Sequence, residues 1–384
     1  MGSGKTYKAI QQMKNTKNNF IYVTPFLDEV DRVTSQVENA FAPESYFYKD
    51  YCGEVVAVSK RNDCLKKASN KQNIVTTHSL FTSLHKSDYE FFKNYDLILD
   101  EVIKPIQLIN MTRDDLEIAF NSGTLTLNEE TRNVTFTGDD YHGEYYSLLK
   151  KYCETANVTL VNDNQLVWSY PVEIFNAFNS ITILTYLFEG SLLSSYFKYN
   201  GIEYSINNVS EEEEKQIKNN VKKNLFVYAG NCNKYGDMKN AFCVNWIKRR
   251  KSKELKKIKN SVANLLYRIF KTKSEETAFT TFKEFSGKLK GKGYSRVFIP
   301  VNERATNKYS DIKTMIYLAN RYINPNEIEY FRSKGVEVDQ DKWALAELLQ
   351  WIWRGSIRKN EPMNLYIPSK RMRDLLFRWL NNEY

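Results

Sequence analysis

The first six residues constrain the chain most. MGSGKT ends as a phosphate-binding loop ends, with Gly4, Lys5 and Thr6 in the last three positions of the GxxxxGK[ST] pattern. The glycines Gly2 and Gly4, with Ser3 between them, let backbone N–H groups face phosphate oxygens with no Cβ in the way. Lys5 is placed to reach the β- and γ-phosphates, and the Thr6 hydroxyl to ligate Mg²⁺. The following segment, TYKAIQQMKN, reads as a helix whose positive end points at the phosphates. Read alone, the motif is also compatible with a flexible start. It matches the N-myristoylation pattern too, a match set aside because the phosphate loop accounts for the same residues. The strand that leads into such a loop is central in its sheet. The expectation is therefore that the natural protein begins upstream of Met1, and that the strands ending at Thr24, Thr77, Asp100 and Thr185 flank a gap unless another segment fills it.

Strand-then-helix alternation follows. FIYVT at residues 20–24 is a β-rich run before Pro25, and a helical stretch comes next. NIVTT (73–77) and YDLIL (95–99) read as buried strands, the second ending in Asp100 and Glu101. That rhythm is the α/β pattern, with a parallel sheet. Residues about 104–178 break it with a helix, an alternating hairpin stretch (TLTLNEETRNVTFTG) and a second helix, and read as an α+β insertion. A strand returns at 181–185. Further on, RVFIPV, a helix over 343–357, NLYI and a last helix over 369–380 form a second α/β unit. The predicted domains are 1–195 and 196–384.

Composition narrows the class. Fourteen per cent aromatic and 26% charged residues exclude a disordered chain, and the purest apolar stretch, residues 181–188, is far short of the roughly 20 residues of a spanning helix. Five scattered Cys and three His offer no zinc pattern and read as idle thiols of a reducing compartment. The net charge of +9 suits a polyanionic partner, and residues 248–259 (KRRKSKELKKIK) hold eight basic side chains against one acidic. That run reads either as a solvated helix face or as a nucleic-acid or interdomain surface.

The carboxyl end of a parallel strand is where a nucleotide-hydrolysing α/β domain holds its acids. Asp100 is the candidate for Mg²⁺ and Glu101 for the base that orients or deprotonates the attacking water. Near the C-terminus Gln350, Arg354 and Arg358 follow in steps of four, which on one continuous helix share a face, flanked by Trp351 and Trp353. Two arginines there call for an anionic partner such as a γ-phosphate.

The order MGSGKT, VTPF, TTHS, LILDEV, LTYLFEGS, RATNKYSD and QWIWRGSIR resembles the superfamily 2 DEAD/DEAH-type helicases, and within them the replication-type helicases of phages and prophages of Gram-positive bacteria. The resemblance implies two RecA-like parallel-sheet lobes with a nucleotide cleft between them. It implies an ATP-dependent helicase or translocase using ATP and Mg²⁺ on DNA or RNA, beside replication proteins, in the host cytoplasm, with no membrane and no obligate oligomer. By motif, Gly2, Gly4, Lys5 and Thr6 match the phosphate loop. Thr24 and Pro25, then Thr76, Thr77 and His78, match nucleic-acid-binding motifs. Asp100 and Glu101 match the Mg²⁺ and water pair, and Thr185 matches the motif that couples hydrolysis to strand movement. Arg304, Thr306, Asn307 and Asp311 precede the last motif, with Thr306 and Asn307 read as nucleic-acid contacts. Gln350, Arg354 and Arg358 match that last motif, with either arginine as the finger. The usual QxxGRxxR spacing is altered, with Trp353 where Gly stands. Two other readings remain: a phage DNA-packaging ATPase, and a nucleic-acid-binding protein without hydrolysis.

Overall fold

The computed structural model describes residues 4–49, 51, 54–138, 144–154, 157–302 and 308–384. The chain divides into two compact units. One comprises Gly4–Glu203 with Asn324–Val338, and the other Tyr204–Ile323 with Asp339–Tyr384. Each is α/β with its own parallel sheet.

In the first unit five strands lie in the order Ser180–Leu184, Tyr95–Asp100, Asn19–Thr24, Asn73–Thr77, Ala40–Phe41. All pairs are parallel. The runs FIYVT and YDLIL are apolar at successive positions because both sheet faces are covered, and Ile21, Tyr22, Val23, Leu97 and Leu99 have no exposed surface. The strands are contiguous and do not flank the gap expected from the sequence. Leu97 pairs with Ile21 on one side and with Ile181 on the other. The reason is the strand order: Tyr95–Asp100 takes Asn19–Thr24 and Ser180–Leu184 as its two neighbours. The sheet's outer edge is Ser180–Leu184, where Ser180 and Thr182 are exposed.

The inserted segment has a core of its own. Ile106–Ile109, Gln165–Ser169 and Val158–Val161 form an antiparallel sheet. The hairpin Leu125–Leu127/Val134–Phe136 and the helices Arg113–Asn121 and Glu144–Glu154 complete it. Leu116, Leu125, Val134, Leu149, Val158 and Leu166 close this core. The helix Pro325–Ser333, far along the chain, packs onto the insertion and not onto the sequence neighbours of its own half. Lys104 Nζ meets Glu327 Oε1 at 2.5 Å, and Asn326 Nδ2 donates to Gln165 Oε1 at 3.3 Å.

The second unit has strands in the order Leu225–Val227, Met363–Tyr366, Thr314–Tyr317, Thr277–Thr280, Val297–Phe298, all parallel. The sequence expectation of one helix over 343–357 is corrected here. The helix runs Gln340–Ile352 and ends because Ser356 turns its N–H to Ile312 O, at 2.9 Å, where Gly355 fits tightly beside Met315 and Met363. Arg354 therefore lies beyond the helix and is buried at 3% exposure, while Arg358 is exposed on the short turn Ser356–Lys359. Gln350, Arg354 and Arg358 do not share a helix face. Trp351 and Trp353 are core residues, packed edge-on against Tyr317 and Trp379. Among the described residues no helix is long and apolar enough to cross a membrane.

Candidate nucleotide site

Helix Lys5–Asn15 begins directly after Gly4, whose φ of 65° is the left-handed backbone that glycine adopts without strain. Its apolar residues Ala9, Ile10 and Met13 are buried against Phe20, Tyr22, Val75 and Ile98 of the sheet. Lys5 precedes Ala9 by four residues, so the helical period brings it to this same buried face, and Thr6 stands likewise above Ile10. Packing of an amphipathic helix thus delivers the first-turn side chains to the sheet's carboxyl end.

The acids meet them there. Burial lowers the Lys5 pKa, and the charges of Glu101 and Asp100 act in the opposite direction. The Lys5 ammonium also lies 5.9 Å from the Tyr186 ring centroid. Asp100 is 8% exposed, and its Oδ2 accepts a 2.8 Å hydrogen bond from the Tyr22 hydroxyl. Burial pushes the Asp100 carboxyl up to about 6; the Tyr22 bond pulls against that, and the Glu101 charge adds to it. Glu101 has φ of 66°, a left-handed conformation that costs a non-glycine residue on the order of 1–3 kcal/mol and clusters at functional sites. Its N–H donates to Leu184 O at 3.2 Å, and its Oε2 accepts from the Thr185 hydroxyl at 3.2 Å.

The structure thus brings Lys5, Asp100, Glu101 and Thr185 together, with Thr6 next to Lys5 in the first helical turn. The remaining first-unit candidates line the same sheet end in different states. Thr24 and Thr76 are buried, and Thr24 Oγ1 has no hydrogen-bond partner. Pro25 is half-buried. The Thr77 hydroxyl caps the next helix by accepting from Leu80 N, and His78 Nε2 lies 3.0 Å from the Asp100 carbonyl oxygen. Gly2, Ser3, Arg304, Thr306 and Asn307 lie outside the described residues. Asp311, in the second unit, pairs with Lys359 at 2.6 Å.

Three residues near the acids escaped the sequence reading: Tyr22, Tyr186, and Arg32, which pairs with Glu29 and bears electrostatically on Asp100. For Tyr22 a signal existed. Alternation along a strand puts it on the same side as Thr24; the pairing that sets it beside Asp100 is a property of the sheet.

Residues 218–380 match the family described as the YonV C-terminal Rossmann-like domain. Over 407 aligned residues the chain is 37% identical to the SPbeta prophage-derived uncharacterized protein YonV of Bacillus subtilis (strain 168), covering all of this chain and 97% of that protein. The chain belongs to the YonV family. Among solved structures, S. tokodaii Xpd4 aligns over 98% of this chain and 91% of its own, at 13% identity and a TM-score of 0.48.

In this YonV-family chain the state of Asp100 has a consequence for stability. Its folded pKa, about 6, lies above the unfolded value of about 3.9. The folded form therefore holds the proton more tightly. The resulting stability is fully present below about pH 4 and is lost as pH rises through 6, a change of about 3 kcal/mol. Asp100→Asn removes the buried charge and keeps an oxygen for Tyr22. At pH 8 without Mg²⁺, its first unit is expected to melt about 6–12 °C above the parent, with the gain vanishing near pH 4. Differential scanning calorimetry across that range checks this; a variant that melts below its parent at pH 8 would contradict it.

Proposed function

We propose that the protein is an ATP-hydrolysing, helicase-type motor that acts on nucleic acid. The observation that carries this reading is the meeting of Lys5, at the start of a helix, with Asp100 and Glu101 at the end of a parallel strand. The Lys5 ammonium is set to bind phosphate oxygens, aided by first-turn N–H groups and the helix dipole. Glu101 is the candidate base for the attacking water, with its carboxylate held by the Thr185 hydroxyl. Tyr22 fixes one oxygen of Asp100 and leaves the other available.

A buried carboxylate beside a second carboxylate favours a cation, and the hard oxygen donors of Thr6 and Asp100 suit Mg²⁺. Bound there, it would neutralise phosphate charge. Thr185 joins Glu101 to the turn after Ser180–Leu184, and His78 joins the Asp100 carbonyl to the short helix His78–Phe81 that follows Asn73–Thr77. Both contacts connect the acids to segments the helicase resemblance associates with nucleic acid and strand movement. Prophage DNA replication is the setting this reading favours, consistent with the prophage origin of the YonV relative.

Phosphate release from ATP, measured with and without Mg²⁺ and with and without single-stranded DNA, tests the reading. Mg²⁺-dependent hydrolysis stimulated by DNA is expected. No hydrolysis under any of these conditions would overturn it.

A further inference from the structure

The helix Ser252–Leu265 of the second unit has two faces of opposite character. Leu255, Ile258, Val262 and Leu265 are buried in the unit's core against Phe279, Ile316 and Tyr366. On the opposite side Lys253, Lys256, Lys257, Asn260 and Asn264 are all exposed. At 100° per residue these five fall within about 60° of a single line along the helix. The chain continues into a wider, π-type turn, Leu266–Phe270, of a kind frequent at functional sites. That turn buries Leu266 and Phe270 and leaves Tyr267 82% and Ile269 51% exposed, with Arg268 exposed between them.

The charge on this face is uncompensated. Residues 248–273 contain eleven Lys and Arg and one acidic residue, Glu254. Glu254 is engaged by Arg250 at 2.9 Å and by the Lys251 N–H. Among the described residues no carboxylate lies within ion-pair distance of Lys253, Lys256 or Lys257. A solvated helix face typically interleaves both signs.

We propose that this face is a binding track for single-stranded nucleic acid, with the lysines on the phosphates and Tyr267 as a stacking platform for a base. From Lys253 to Tyr267 the track is about 20 Å long, room for about six phosphates at the 3.4 Å spacing of a stacked strand. An exposed aromatic ring at the end of a basic groove or stripe is the arrangement by which single strands are held without sequence preference. A lipid surface fits less well, because an interfacial helix turns its apolar face outward, and here that face is buried in the core. The track lies outside every motif that carries the helicase resemblance. It goes beyond the proposed hydrolysis and does not depend on it.

The test uses the full chain and fluorescence anisotropy with a labelled oligo-dT 20-mer, a duplex of equal length and anionic phosphatidylserine vesicles, over a range of salt. The parent is expected to bind the single strand most tightly. Lys253→Glu/Lys256→Glu/Lys257→Glu changes only exposed side chains. It is expected to weaken binding at least tenfold and to reduce the salt slope by about 2, at roughly 0.7 per lost phosphate contact. Tyr267→Ala is expected to weaken the single strand by about fivefold or more and to leave the duplex unaffected. Lys5→Ala, confined to the first unit, is expected to bind as the parent does, so failure of hydrolysis and failure of the track are read separately. The proposal is overturned if the triple variant keeps the parent's affinity and slope, if Tyr267→Ala leaves single-strand binding unchanged, or if duplex or vesicles bind more tightly than oligo-dT.

Discussion

Lys5→Ala is expected to lower ATP turnover by at least about 10²–10³-fold, the usual cost of removing one preorganised charge-stabilising donor. The side chain stands on the buried face of its helix, four residues before Ala9, and its ammonium lies in the field of Asp100 and Glu101. Removing it takes away a positive charge that interacts with both Glu101 and Asp100 and leaves two carboxylates facing a phosphate chain. The fold should survive. Ala9, Ile10 and Met13 make the helix–sheet contact, and alanine is the best helix former. The check is steady-state phosphate release beside a thermal melt. Parental turnover by a folded variant would show that the phosphate loop is not the site of hydrolysis.

Glu101→Gln should separate binding from chemistry. The amide keeps the size of the side chain and an oxygen to accept from the Thr185 hydroxyl, and the strained backbone at φ 66° is unchanged. Only the proton acceptor is lost, a change worth typically 10²–10⁴-fold in rate. ATP affinity, followed with a fluorescent analogue, is expected to stay within a few-fold of the parent while turnover collapses. If both stay at parental levels, Glu101 is not the base, and the left-handed conformation has another cause. If affinity falls and turnover per bound nucleotide does not, the residue positions phosphate and does not act on water.

Much of the first unit was legible because its signals are local. Apolar runs bounded by polar turns mark the buried strands, and the 5, 9, 13 spacing of Lys5, Ala9 and Met13 gives the face of the first helix. The end of an apolar strand marks Asp100 and Glu101. The break at residues 104–178 also showed in the pattern, because alternating polarity and a hairpin do not fit a buried parallel strand. The expected gap in the sheet failed for a related reason. Strand runs reveal that strands exist, and their lateral order depends on which faces and crossovers pack.

The arginine helix failed differently. Steps of four residues are a helical argument only while the helix lasts. It ends at Ile352 because Ser356 finds a better partner in Ile312 O, 44 positions away, than in another helical turn. That choice is made by the segment leading into the strand Thr314–Tyr317, so Arg354 is buried and Arg358 is exposed without any change in their spacing.

By itself the sequence determined an α/β chain with an insertion, a first helix that starts at Lys5 and an acidic strand end, because periodicity, turn chemistry and apolar runs are properties of neighbouring residues. Only the tertiary structure decided that Tyr22 holds Asp100, that Thr185 holds Glu101, and that Pro325–Ser333 packs on the insertion. Those contacts join residues 78 or more positions apart. Sheet order and helix docking set their geometry, and no local pattern in the chain encodes either.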